Sequence, residues 1–396
     1  MLKHIRENIL GEIIIEDDLI MELIYSKDLQ RLKNIKQLAA TYFLYPSAEH
    51  SRFIHSLGVY EIARRIVSKL DIKISDREKK AILSASLLHD IGHGPFSHVF
   101  ENTFMKIKHE KLTVKILNDK NSDVNKILNK HDKSIIKEIS LIIEGKHPTK
   151  WFNQLLSSEI DVDRIDYLLR DNNLANSGYV SFNIDWLVNS FNIKDDEIVF
   201  SYNSLSTLED FLIGRYHMFK NVYDHPRDIS FTIILNFLKK RMDKLIQDKY
   251  KFKTKCKKNY RNFNRISKLS YDDFFEMTDI KFIDFINNIK REDDHILKRI
   301  AESILNGKLL NVFDLEDKNE KILFLESKKN LNNNYEYTIY KMKNSFYDSE
   351  KGIKKIRSIK ILKDNKIHSI DKFSTFINPN VAKGSTREHK FGYILP

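Results

Sequence analysis

The tightest constraint on this chain is the stretch from Ser75 to Glu101. Ser75 followed by Glu78 reads as a capping box, and Ala81, Ile82, Ala85 and Leu88 recur at helical spacing, so a helix begins near residue 76 and buries one face. That apolar helix runs straight into His89-Asp90, and Gly92, Gly94 and Pro95 are expected to stop it there. His89, Asp90, His93, His98 and Glu101 put three imidazoles and two carboxylates into the sixteen residues from Ser86 to Glu101. Burying adjacent His and Asp is strongly unfavourable unless each is paired or bound to a metal. The segment therefore points to a metal centre, and the fold must bring its remaining ligands to this place.

Two other helices carry suitable side chains. From Ser51 to Leu70 the apolar residues Phe53, Ile54, Leu57, Ile62, Ile66 and Leu70 share a side, and His55 lies in the first turn, where the helix dipole favours a neutral imidazole. From Ser157 to Asp171, Ile160, Ile165, Leu168 and Leu169 form the apolar stripe while Asp163, Tyr167 and Arg170 fall on a neighbouring face. Asp161, Asp163 and Asp166 could each reach a metal, and spacing does not choose among them. Residues 37 to 50, with aromatics around Pro46, read as a loop or hairpin closing over something. Residues 204 to 240 read as a helical pair carrying Arg215, His217, Lys220, Tyr223 and His225, broken at Pro226.

Composition bounds the setting. A chain of 396 residues suggests two or three domains, and its single cysteine, Cys256, excludes an intrachain disulfide and fits a reducing compartment. No apolar run has the length of a membrane span, and Glu7, Glu12, Glu16, Asp17 and Asp18 make the N-terminus unlike a signal peptide, so a soluble cytoplasmic protein is expected. Of the net charge of +12, thirteen Lys/Arg against Asp243 and Asp248 place +11 between Lys239 and Lys268. Such a run is a solvated loop or, with Tyr250, Phe252, Tyr260 and Phe263 interleaved, a surface for a polyanion such as single-stranded nucleic acid. Beyond it, Tyr335–Tyr340 and Ser358–Leu362 alternate like strands. The expected architecture is mainly α: a lead-in over 1–36, a helical core over 37–240, a basic segment and helical extension over 241–310, and a small α+β lobe over 311–396.

The order His55, His89-Asp90, Asp163 resembles the H…HD…D signature of the HD-domain metal-dependent phosphohydrolases, a helical fold centred on that ligand set. Gln37-Leu38, the run from Arg52 to Val59, the run from His89 to His98, His109-Glu110, Ile160–Tyr167 and Tyr223-Asp-His resemble, more narrowly, the dNTP triphosphohydrolases: the animal SAM-and-HD-domain enzyme and its bacterial relatives, here with no SAM domain ahead of the motifs. The resemblance implies that His55, His89, Asp90 and Asp163 bind a divalent ion, Fe, Mn, Zn or Mg. It implies that His98, backed by Glu101 where the family usually has Asp, protonates the leaving group, and that His93 and His109 hold the α-phosphate. Arg52, Arg164 and Arg215 match cations on the triphosphate, Arg164 standing where the animal enzyme has Lys. Gln37 and Asp171 match readers of the 3′-hydroxyl, Tyr167 the ring that leaves no room for a 2′-hydroxyl, and Leu38 and Tyr223 the border of the base. The implied reaction is attack of metal-activated water on the α-phosphorus, yielding deoxynucleoside and triphosphate, in a homo-oligomer (dimer or tetramer) with a nucleotide effector at its interfaces. Tyr25, Gln30 and Lys33 occupy the positions of the animal enzyme's guanine-nucleotide activator site, and only the Gln is kept. Two alternatives remain: an HD phosphohydrolase or nuclease acting on a signalling nucleotide or a nucleic-acid end, and a nucleic-acid-binding HD protein without turnover.

Overall fold

A computed structural model describes residues 3–105, 107–343, 350–374 and 388–396. The fold is mainly α, as expected. Its centre is formed by α1 (Arg52–Lys69), α2 (Asp76–Leu88), α3 (Ser97–Thr103), α4 (His109–Asn118) and α5 (Val162–Leu174). Ser75 and Glu78 form the expected reciprocal cap on α2. α1 packs against both α2 and α5, and the close approach to α5 requires Gly58: a Cβ there would stand 1.8 Å from Asp166 Oδ1. Gly92 serves the same purpose on the other side, where a Cβ would meet the carbonyl oxygen of His109 at 2.2 Å.

The helix break differs in kind from the expected one. Gly92 and Gly94 do not take the left-handed conformation; Phe96 and Ser97 do, with φ of 52° and 55°. Each such residue stores roughly 1–2 kcal/mol of strain, so something must hold them. Asp279, at the start of a later helix, Asp279–Lys290, accepts the Phe96 N–H at 2.7 Å and the Lys36 N–H at 2.9 Å. Ser97 Oγ donates to the Lys36 carbonyl at 2.7 Å and accepts from Arg52 Nε at 2.6 Å. The Phe96 ring is buried against Phe231 and Phe282.

The lead-in forms an antiparallel hairpin, Lys3–Glu7 with Gly11–Ile15. The 37–50 loop is closed by the Lys36–Ser51 bridge and by Gln37 N–H donating to the His50 carbonyl at 3.0 Å. After Leu205–Met218 (α6) comes Pro226–Gln247 (α7), one continuous helix, so the boundary expected at 240 falls inside it; the apolar face of α7 stays buried through Met242 and Leu245, and the chain turns only at Lys249, with φ of 58°. The α+β character expected beyond 311 is present, yet these residues do not form a sheet of their own alone. Glu388–Ile394 lies between Asn311–Asp314 and Tyr337–Lys343, whereas Lys360–Lys363 runs parallel to Glu197–Ser201 and extends a sheet begun in the core. Among the described residues no helix is long and apolar enough to cross a membrane.

Candidate active site

His55 from the first turn of α1, His89 and Asp90 from the end of α2, and Asp163 from α5 converge. His89 Nδ1 lies 2.9 Å from the Ser86 carbonyl and His55 Nδ1 lies 2.8 Å from Asp166 Oδ2, so both rings turn Nε2 to the same space, where neither has a hydrogen-bond partner. His55 Nε2 is 3.1 Å from Asp163 Oδ1 and 3.7 Å from Asp90 Oδ2; His89 Nε2 is 3.3 Å from Asp90 Oδ1 and 3.8 Å from Asp163 Oδ1. Ligand atoms around an ion bound at about 2.1 Å stand roughly 3.0–3.4 Å apart; His55, His89 and Asp163 bring their ligand atoms close enough together to hold a divalent cation, and Asp90 turns one oxygen toward each imidazole beside them. Asp161 and Asp166 face elsewhere: Asp161 caps α5 and pairs with Arg164, and Asp166 sits behind His55.

The charge state of His55 departs from the helix-dipole expectation. Burial favours the neutral ring, but Asp163 and Asp166 outweigh both burial and dipole and push its pKa up to about 10, so a cation must displace a proton to bind there. Burial alone would raise Asp90, yet Arg52, His89 and His93 hold its carboxyl well below the usual range.

Beside this centre lies a second cluster. The His93 ring stacks on His109 at 3.8 Å and 18°, with His98 edge-on to His93 at 4.9 Å. Burial, Arg52 and His109 keep His93 neutral, while His109, although burial opposes it, is raised by its 2.8 Å bond to Glu101 and the field of Asp90. Glu101, expected behind His98, is engaged chiefly by His109; His98 Nδ1 stands 3.6 Å away, and its side chain is 62% exposed. The three arginines matched to phosphate contacts each hold a carboxylate: Arg52 pairs with Asp90, Arg164 with Asp161, and Arg215 with Glu159 at 2.9 Å.

A third group lies farther along α5, the helix that carries Asp163. Asp171 is held by His50 Nε2 at 2.7 Å on one oxygen and by the Tyr223 hydroxyl at 2.7 Å on the other. The Tyr167 and Tyr223 rings meet edge to face at 6.2 Å. Gln37 Oε1 and His50 Nδ1 are buried without hydrogen-bond partners, the state of groups that a polar ligand completes. Leu38 is half-buried in the same loop. Elsewhere, Tyr25 is exposed, Gln30 donates to the Ile24 carbonyl at 2.7 Å, and the Lys33 ammonium lies 4.7 Å over the Phe53 ring.

The family model for the HD domain matches residues 52–171. The uncharacterized protein YwfO of Bacillus subtilis is 34% identical over 315 residues, 79% of this chain and 72% of that one. The chain belongs to the HD-domain family of phosphohydrolases. Another relative is the Dictyostelium discoideum protein named deoxynucleoside triphosphate triphosphohydrolase SAMHD1 homolog, 34% identical over 235 residues, covering 54% of this chain and 45% of that one. A solved phosphohydrolase from Bacteroides thetaiotaomicron shares the fold over 99% of both chains, with a TM-score of 0.82 and 22% identity.

The supports of this HD-domain centre lie partly outside the matched span and escaped the sequence. Behind His55, Asp166 receives Arg170 at 2.8 and 3.0 Å; Arg170 pairs in turn with Glu7, whose other oxygen accepts the Ile9 and Leu10 N–H groups. No spacing rule joins Glu7 to Arg170. Buried Arg31 donates to the His93 carbonyl at 2.8 Å and to the Met277 carbonyl at 2.5 Å. His50, next to the bridge that closes its loop, had only that position as a signal.

Proposed function

We propose that this HD-domain phosphohydrolase converts deoxynucleoside triphosphates to deoxynucleoside and inorganic triphosphate. One observation carries the reading: Asp171, on the same helix as Asp163, is held between His50 and Tyr223 next to buried polar atoms without partners, the acceptors a sugar needs. Asp171, fixed by His50 and Tyr223, and the unpartnered Gln37 Oε1 offer oxygens to a 3′-hydroxyl, while a 2′-hydroxyl would have to enter against the Tyr167 ring. The name of the Dictyostelium relative supports the same substrate class.

His55, His89, Asp90 and Asp163 would hold the divalent ion, which when bound supplies Lewis-acid charge and lowers the pKa of water. Arg52, Arg164 and Arg215 hold their guanidinium groups in place through carboxylate partners, ready to share donors with phosphate oxygens. His93, kept neutral, offers one N–H without adding a second buried cation. His98 reaches solvent and can carry a proton to the departing oxygen, while Glu101 orients His109.

The test is incubation with each dNTP, each NTP and a single-stranded oligonucleotide in Mn and in Mg, with Asp90→Ala alongside and products resolved by chromatography. Deoxynucleoside with intact triphosphate, from dNTPs only and absent in the variant, is expected. Intact dNTPs beside a shortened oligonucleotide would overturn the proposal in favour of a nuclease.

A further inference from the structure

The basic run is not a loose solvated loop. After Lys249 the chain forms a short loop and then α8 (Cys256–Phe263), and the loop is tied to one buried carboxylate. Glu292, 3% exposed, accepts the Lys253 N–H and the Thr254 N–H, each at 2.9 Å, and the Thr254 hydroxyl at 2.6 Å. The inner side of α8 is apolar: Cys256, Tyr260 and Phe263 are buried, with Phe263 edge-on to Phe100 at 5.5 Å. The charges are thereby left on the outer side.

That outer side is a groove of about 710 Å³ lined by seven cations: Lys249, Lys251, Lys255, Lys257, Lys258, Arg261 and Arg265. Among the described residues none of the seven pairs with a carboxylate, and no acid lines the groove, although acids elsewhere take up neighbours such as Arg241 and Lys253. Such uncompensated like charge opposes folding of the segment, and it persists here on a rigid support. Two half-buried aromatic residues, Tyr250 and Phe252, sit within the lining with their rings edge to face at 4.9 Å.

We infer that this groove binds the phosphate backbone of a single-stranded nucleic acid, at a place separate from the metal centre. Seven cations exceed what the four charges of one nucleoside triphosphate neutralise, and match a chain carrying one charge per residue. Rings beside a cationic track are the means by which single strands are held irrespective of sequence, since every base has a face to stack. Nothing in the lining resembles a buried polar pocket for one particular base.

The experiment measures binding of a fluorescent 20-residue oligo(dT) by anisotropy. It uses the full chain, the exposed-residue variant Lys255→Glu/Lys258→Glu/Arg261→Glu, and Asp90→Ala. If about five phosphates are neutralised, log affinity falls with log salt at a slope near −3.5, roughly a hundredfold loss between 50 and 200 mM. The triple variant is expected to bind at least tenfold more weakly with a shallower slope, circular dichroism confirming its fold, while Asp90→Ala binds like wild type. Unchanged binding by the folded triple variant would overturn the inference. So would equal binding of a duplex of the same length, or displacement of the strand by dATP or by polyglutamate at matched charge.

Discussion

Asp279→Ala tests whether one remote carboxylate sets the entrance to α3. Asp279 is 7% exposed and accepts two backbone N–H groups, those of Phe96 and Lys36. Removing the acceptor orphans both, at about 1–3 kcal/mol each, or roughly 2–6 kcal/mol in all. If the turn then lets go, relief of the two left-handed residues returns about 2–4 kcal/mol. Taken at their midpoints these leave an expected net loss of about 1 kcal/mol in urea unfolding, with Asp279→Asn, which keeps one acceptor, losing less. The same release moves the start of the helix bearing His98 and Glu101, and misplacement by about 1 Å lowers turnover by about a hundredfold. Phosphohydrolase activity should therefore fall far more than the fraction folded at the assay temperature. An Asp279→Ala protein within about 0.5 kcal/mol of wild type and fully active would refute the reasoning.

Asp166→Asn should weaken divalent-metal binding by about 10–100-fold in a metal titration, because the group orienting His55 loses its charge. It should also lower stability by about 3–5 kcal/mol, since Arg170 keeps only Glu7 as a buried carboxylate partner; a folded variant with unchanged metal affinity would exclude the orienting role. Asp228, which accepts the Thr41 hydroxyl at 2.8 Å, is pushed up to about 7, chiefly by burial and then by Asp224. Its folded pKa lies above its unfolded value, so the stability it contributes is complete below about pH 4 and is lost as pH rises through 7. Asp228→Asn should match wild type at pH 4 and exceed it by about 1–2 kcal/mol at pH 8, read as a widening difference in thermal or urea midpoints; parallel profiles would contradict the buried-carboxylate account.

Local chemistry was legible in the sequence. The Ser75–Glu78 cap, the helices at 52 and 76, and the crowding after Leu88 all follow from spacing and side-chain type, because each involves residues within a few positions of one another. Which of three acids joins His55 Nε2 and His89 was not, since Asp161, Asp163 and Asp166 lie within six residues at the start of one helix and only the rotation of that helix against α1 separates them. The left-handed pair escaped because glycine is the usual signal for positive φ, and here Phe96 and Ser97 carry it while Gly92 and Gly94 do not. The parallel pairing of Phe200 with Ile361 joins strands far apart in the chain, and neither alternation pattern names its partner. His55 was misjudged on charge because a helix end is a weak field beside two carboxylates at contact distance.

The chain of contacts behind His55 bears on any attempt to shorten or transplant this protein. A fragment cut to residues 52–171 would keep every candidate metal ligand and the Asp166–Arg170 pair, yet lose Glu7, Arg31, Gln37, His50, Tyr223 and Asp279. It would strand Arg170 without its second acid and leave the His98 helix without the carboxylate that starts it. The unit that recurs in sequence is thus smaller than the unit that can be moved. A graft onto another helical scaffold would have to bring the N-terminal hairpin and the helix beginning at Asp279 along with it.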